Sequence, residues 1–571
     1  MRRIKTTIFL LVTLYLVFAF SNISAQSHGA ETAFLHIDKT TYIAGEPINY
    51  KLYVLDAKSK KLSNQSSIAY IQLTSDSLNI HSRIITKLVN GMSSGSFVLP
   101  DSLTSGVYKI SAFTNVMKNF GSNYFFQKDI VVVNRFDKNL KFKPLKISNK
   151  IQDNSFESEH IISTSKTLIG LREKVNVELK NSGNAEHLSI SVFEDSPLNQ
   201  NYSSIKDIVT QNNFEPNYKQ TKKYLPEKYG KILAGSVLDT KSLQGIANKI
   251  VLLSCPDSIA NLKYATTNSE GRFYFTIGDY YNEKVLFLTL KEINEQYKLV
   301  VDDDFIKTPA SVVSDSSTTF VQNEYLVKCQ NIFQINKSYR LVNDTISITN
   351  SPKNGFYAPK VFYNKAITIY PKDFVSLNNF SEISVELLPQ VRILTVDSKY
   401  KLQILGASAY KVQNTDPAIF LDGVFVDDIN KIMNIGSDKI KKIELQNVER
   451  VIGDISFPGV MAISTFTNEI LSSIPASYSC SFKNTNFEVN KRFFEVNTNY
   501  INDAKMPYVK QLLYWKPDIT TQKNQNFVFD FYTSDNTGSF IINIEGVSEN
   551  GTPISDRYRI KVDNLTNSSQ K

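Results

Sequence analysis

Apolar side chains recur at every second position, in short runs closed by turn-forming residues, and this constrains the chain more than any other feature. Ile48, Tyr50, Leu52 and Val54 form one such run; others are Tyr108, Ile110 and Ala112; Val175, Val177 and Leu179; and Phe527, Phe529 and Phe531. A period of two places these side chains on one face of an extended chain, which is the signature of a half-buried strand. Ala44-Gly45-Glu46-Pro47, Asn90-Gly91, Ser105-Gly106 and Asp422-Gly423 supply the turns between runs. The 29 Tyr and 36 Phe, against a single Trp, point the same way. A chain of 571 residues is too long for one hydrophobic core. At about 100 to 150 residues per domain it divides into roughly four or five modules. The expected fold class is mainly β, a multi-domain string of sandwiches with one small α+β unit.

Residues 1–25 have a basic start (Arg2, Arg3, Lys5), an apolar run from Ile8 to Phe20, and Ala25 before Gln26. This is the pattern of a secretory signal peptide cleaved after Ala25. The run is shorter than the ~20 residues of a spanning helix, so an uncleaved anchor is the less favoured alternative. No Cys follows to carry a lipid. Removing the leader lowers the net charge from +9 to +6, because it carries three basic residues and no acidic one. Spread over this length, that is little basis for nucleic-acid binding. Cys255, Cys329 and Cys480 are an odd, widely spaced set, which reads as small core side chains and not as a disulfide framework or metal site.

Several segments resemble known families. Asp38 to Glu46, D-K-T-T-Y-I-A-G-E, resembles the macroglobulin-type domains of the α2-macroglobulin family, and Pro100 to Tyr108 resembles their bacterial envelope relatives. That family's C-G-E-Q thioester motif is absent, so the resemblance does not extend to protease trapping. It implies a sandwich at 26–136, repeated more weakly, with a connector, at 137–224. Gly235 to Asp239 (G-x-V-x-D) and Thr267 to Phe273 (T-N-x-x-G-x-F) are similar to the marks of the carboxypeptidase regulatory-like, or transthyretin-like, domain, which implies a sandwich at 225–300. Residues 301–388 read as a mixed linking region with helices at Thr318 to Asn336 and Asp373 to Leu388. Asp416 to Thr467 resembles the plug domain of TonB-dependent outer-membrane receptors: the Asp422-Gly423 strand pair is followed by I-E-L and by Gly453 and Gly459. Ser456 stands at that pattern's middle glycine and Ile452 at its Tyr. A plug-like unit is expected at 389–468, with a short helix over Asp428 to Lys442. A C-terminal sandwich with a polar tail is expected at 469–571, including the strand Tyr478 to Phe482. A barrel that holds a plug needs on the order of 22 strands of ~10 residues. Only Asn468 to Lys571 follow here, so no pore is expected.

Candidate chemistry is sparse. Gly91-Met92-Ser93-Ser94-Gly95 fits the G-x-S-x-G nucleophile elbow, but Asn90-Gly91 opens a hairpin where that motif needs a strand-to-helix turn. His28, His36, His81, His160 and His187 include no pair spaced for zinc on one helical face, although His36 and Asp38 share a side of one strand. Asp302-Asp303-Asp304 and Asp427-Asp428 lack a calcium-loop spacing and read as solvated turns. Paired carboxylates for glycoside hydrolysis would leave no local signature. The expectation is therefore a non-catalytic binding or accessory protein, exported to the periplasm, outer membrane or surface of a Gram-negative bacterium. The same expectation assigns no catalytic or metal residues, no cofactor, no nucleic-acid partner and no clear small-molecule ligand. Its partner would be an outer-membrane protein complex, met through Asp422, Gly423, Val424 and Phe425, so that membrane association is indirect. A hydrolase with an inter-domain site and an extracellular adhesion or structural protein are the alternatives.

Overall fold

The computed structural model describes residues 29–75, 79–137, 141–142, 162–164, 166, 168–180, 184–195, 203–211, 223–256, 262–278, 281, 284–292, 294, 296–306, 319–320, 324–339, 366–396, 399–405, 416–467, 479–484, 501, 503 and 505–565. The expected leader, His28, His160 and the end of the polar tail lie outside these. The described chain is mostly β and falls into two compact units, each built from separated stretches of sequence.

The first unit comprises 1–228, 305–349 and 488–571. Its N-terminal sandwich has a three-stranded sheet ordered Glu31–Ile37, Pro47–Asp56, Met92–Val98, and a five-stranded sheet ordered Thr41–Ile43, Phe126–Val133, Gly106–Phe113, Ile68–Ser75, Ile80–Lys87. Asn90 and Gly91 have φ of 51° and 73° and turn the chain tightly into Met92–Val98. Ser93 therefore lies on a strand, as the hairpin reading required. A buried carboxylate, Glu31, accepts bonds from the Ser63, Ser66 and Thr114 hydroxyls at 2.6, 2.7 and 2.6 Å. The D-K-T-T-Y-I-A-G-E stretch closes on itself. Tyr42 Oη donates to Asp38 at 2.6 Å and Lys39 pairs with Glu46 at 2.6 Å. Burial raises the Asp38 carboxyl to about 6.

The segments expected as two further sandwiches, 137–224 and 469–571, make one. Lys174–Leu179 pairs along its length with Phe527–Tyr532, and Glu186–Glu194 lies between Leu512–Thr521 and Gly538–Ser548. Val175, Val177 and Phe531 from one sheet meet Ile190, Phe540 and Ile542 from the other in one core. Arg172 ties the two halves together by gripping Asp535 through two nitrogens at 2.5 and 2.6 Å. Pairing across more than 300 residues leaves no local trace, which is why the sequence reading separated the halves. The helix Glu324–Ser338 buries Leu326 and Cys329 against Ile43, Val131 and Val133.

The second unit comprises 229–304 and 350–487. In its sandwich, Arg272–Ile277, Lys231–Asp239 and Tyr297–Val301 face Lys263–Thr266, Ile250–Ser254, Val285–Leu290 and Ser479–Lys483. The last strand had been expected in the C-terminal sandwich; it pairs instead with Val285–Leu290, placing Cys480 beside this core. Gly235 sits opposite Phe273, whose ring would lie 2.3 Å from any Cβ there, so the G-x-V-x-D and T-N-x-x-G-x-F stretches meet at one contact. The α+β module has a sheet ordered Ile367–Ile369, Ile440–Gln446, Val460–Thr465, Ala418–Leu421, Val424–Val426, with a parallel pair between Ala418–Leu421 and Val460–Thr465. Residues 366–388 belong here, not to a linker. The expected helix at Asp373 to Leu388 shortens to Phe380–Leu387, where Asn379 accepts from the Glu382 amide at 2.9 Å as N-cap. Asp428 to Lys442 is not helical: a single 3-10 turn, Ile429–Lys431, gives way to a strand from Ile440, with the Ser437 amide donating to Leu377 O and Ser437 Oγ accepting from the Leu377 amide at 2.9 Å each.

Candidate functional site

The sequence placed a protein contact at Asp422, Gly423, Val424 and Phe425. All four are covered by the chain itself. Asp422 and Gly423, at φ of 49° and 84°, make the tight turn, and the Asp422 carboxylate accepts from Thr465 N and Oγ1 at 2.6 Å each. Val424 enters the module core. Phe425 packs edge-on against Phe420 at 5.9 Å and tilted against Phe457 at 6.2 Å, in a cluster that includes Leu252 of the sandwich. Its amide donates to Ser254 Oγ at 3.2 Å. Gly453 is needed for the same junction, since its φ is 58° and a Cβ would lie 2.0 Å from Tyr264 Oη, which in turn accepts from the Asp454 amide at 3.2 Å. Hence the partner of the Asp422-Gly423 strand pair is the neighbouring sandwich, across an apolar cluster flanked by hydrogen bonds at Ser254 and Tyr264.

The ionisable groups gather elsewhere, in the first unit, where the Glu31–Ile37 sheet meets the composite sandwich. Gly538–Ser548 is buried on both faces from Phe540 onward; Phe540, Ile542 and Ile544 fill the sandwich core. Asn543 and Glu545 alternate with them and meet His36, Lys128 and Arg557 around a cavity of about 10 Å³, room for about one water. Arg557 Nε donates to Asn543 Oδ1 at 2.9 Å, which orients that amide so that its nitrogen donates to His36 Nε2 at 3.0 Å. A ring nitrogen that accepts carries no proton, so the proton sits on Nδ1 and goes to Ser189 Oγ at 2.7 Å. Ser191 reaches Nε2 at 3.2 Å, and Tyr53 Oη donates to Ser189 at 3.0 Å. His36 is thereby a neutral connector, and its pKa falls well below the usual 6.5 through burial and the nearby Lys128 and Arg557 charges.

Burial also raises the Glu545 carboxyl from 4.5 to about 7, against the pull of Arg557, the Ile205 amide and Ser555. It lowers Lys128 from 10.5 to about 8. His36 does not share a site with Asp38, which is taken up by Tyr42 and Asn49. The sequence did single out His36, but not Lys128, Glu545 or Arg557. No local signal marked them, because Asn543 and Glu545 alternate with Ile542 and Ile544 as a solvent-facing phase would. Asp302 and Asp304, expected as solvated, pair with Arg272 and, at 2.5 Å, with Lys231, and Asp427 pairs with Lys431 at 2.6 Å. Among the described residues no three His, Cys, Asp or Glu side chains gather as metal ligands, and no helix is long and apolar enough to cross a membrane.

No family model matches this chain, and no curated protein does. Among solved structures, Salmonella α2-macroglobulin reacted with methylamine aligns over 94% of this chain and 40% of its own, at 8% identity and a TM-score of 0.24. Escherichia coli α2-macroglobulin activated by porcine elastase aligns over 94% and 44%, at 10% identity and 0.24. A tetra-tandem repeat from the extending region of a large adhesion protein aligns over 94% and 100%, at 11% identity and 0.14. The chain thus spans less than half the length of the two macroglobulins, and scores this low carry no argument about its fold or function.

Proposed function

We propose that this chain is an exported, non-catalytic binding protein of a Gram-negative cell envelope that docks to an outer-membrane protein complex. The leader and the macroglobulin-, transthyretin- and plug-like segments support the location. One structural observation supports docking. Ile367, Tyr370, Phe374 and Val375, on the edge strand of the α+β module and the short turn after it, are 42, 49, 55 and 81% exposed. Four exposed apolar side chains within nine residues of one sheet edge are the kind of feature that accompanies interaction surfaces. The contact therefore moves from the buried Asp422 to Phe425 turn to this edge. The mature chain should co-purify with outer-membrane protein complexes after the bilayer has been dissolved in mild detergent, and the double substitution Phe374→Asp, Val375→Asp should release it with its thermal melt unchanged. Retention of the variant, or a wild-type chain found only in the soluble fraction, contradicts the proposal.

A hydrolase is the second reading, because burial raises the Glu545 carboxyl to about 7 and lowers the Lys128 ammonium to about 8, shifts of the kind found at catalytic sites. The cavity they line holds about one water and no substrate-sized ligand, which favours a structural role for the cluster.

A further inference from the structure

Val391–Val396 and Lys399–Ile404 form a two-stranded ribbon outside the main sheet of the α+β module. Its base is anchored, with Val391 and Leu402 buried and Ile393 and Ile404 packed on the module core. Further out, the Tyr400 amide donates to Asn430 Oδ1 at 3.3 Å. The other face is open. Leu394 stands opposite Lys401 and Val396 opposite Lys399, with Arg392 completing the row, and all five are exposed. That face thus carries three cations, two branched aliphatics at 40% exposure each and, among its described residues, no carboxylate.

We propose that this ribbon face is a contact surface for an anionic lipid bilayer. Cations that sit among headgroups while aliphatic side chains reach the acyl boundary are the arrangement such a surface selects. Six residues at ~3.3 Å each, on two strands ~5 Å apart, present a narrow face of on the order of 200 Å². A stable protein interface needs about 800 Å² per partner, so a protein is the poorer fit. This contact is direct and does not depend on docking to a protein complex.

The test is co-sedimentation of the full mature chain with protein-free vesicles of phosphatidylcholine alone or mixed with phosphatidylglycerol. Binding is expected only to the mixed vesicles. Each cation near an anionic surface is worth about fivefold in partition, so the Arg392→Gln, Lys399→Gln, Lys401→Gln variant should bind on the order of a hundredfold more weakly. Should that variant melt early, a salt titration of the wild-type chain serves instead, and binding must fall with salt. Equal binding to both vesicle types, no binding to either, or a salt-independent partition overturns the proposal. Because the vesicles hold no protein, none of these results bears on docking through Phe374 and Val375.

Discussion

The two units join their modules by opposite physics. In the first, the N-terminal and composite sandwiches meet across His36, Tyr53, Ser189, Asn543 and Glu545, a seam of hydrogen bonds around buried charge. In the second, the sandwich and the α+β module meet across Leu252, Phe420, Phe425 and Phe457. The apolar junction draws its stability from area removed from water, which is non-directional and indifferent to protons. The polar seam gains only about 1 kcal/mol net per hydrogen bond and loses more than that for each partner left unpaired. The apolar junction gives strength; the polar seam gives one register and a dependence on pH.

The largest effect should come from the apolar side. Phe425→Ala should cost about 3 to 5 kcal/mol through lost burial and a residual cavity, read as a shifted denaturation midpoint of the second unit, and should cost the same at every pH from 4.5 to 8. A cost below about 1 kcal/mol, or one that varies with pH, would erase the distinction between the junctions. A smaller effect is expected at the seam. His36→Ala strands Ser189 and Asn543 and should cost on the order of 2 to 3 kcal/mol near neutrality. Its sign with pH is set by the depressed pKa of the native ring. The unfolded chain takes up a proton below about 6.5 that the native chain refuses, so the wild-type advantage is full above 6.5 and shrinks as pH falls. Urea midpoints of both proteins from pH 8 to pH 5 check this, and a gap that widens on acidification would mean that the native imidazole is protonated.

The same contrast explains what the sequence disclosed. Elements fixed by local pattern were legible: the Asn90-Gly91 and Asp422-Gly423 turns, the alternating strands, and the helix carrying Cys329, which begins at Glu324 where Thr318 was expected. Glycines at close approaches were also visible as motif positions, though only Tyr264 above Gly453 and Phe273 above Gly235 show why. What stayed hidden was non-local. Nothing near Lys174 announces that its partner is Tyr532, and nothing near Phe425 announces that Leu252 covers it. The charged seam was the least legible. Asn543 and Glu545 read as the solvent phase of an alternating strand until a second sheet covers them.

The central claim is that the first seam is governed by buried charge and the second junction is not, and Glu545 tests it most directly. Its carboxyl is raised from 4.5 to about 7, so its contribution to stability is fully present below about 4.5 and is lost as pH rises through 7. Glu545→Gln removes that titration. Relative to wild type, the variant's first unit should therefore gain stability by about 3 kcal/mol between pH 4.5 and pH 8, the equivalent of the shift at 1.36 kcal/mol per pH unit. Hydrogen-exchange protection of Glu186–Glu194 in the two proteins across that range measures it, with Ala418–Leu421 as the reference that should not change. Parallel wild-type and variant profiles in Glu186–Glu194, or an equal change in Ala418–Leu421, would contradict the account.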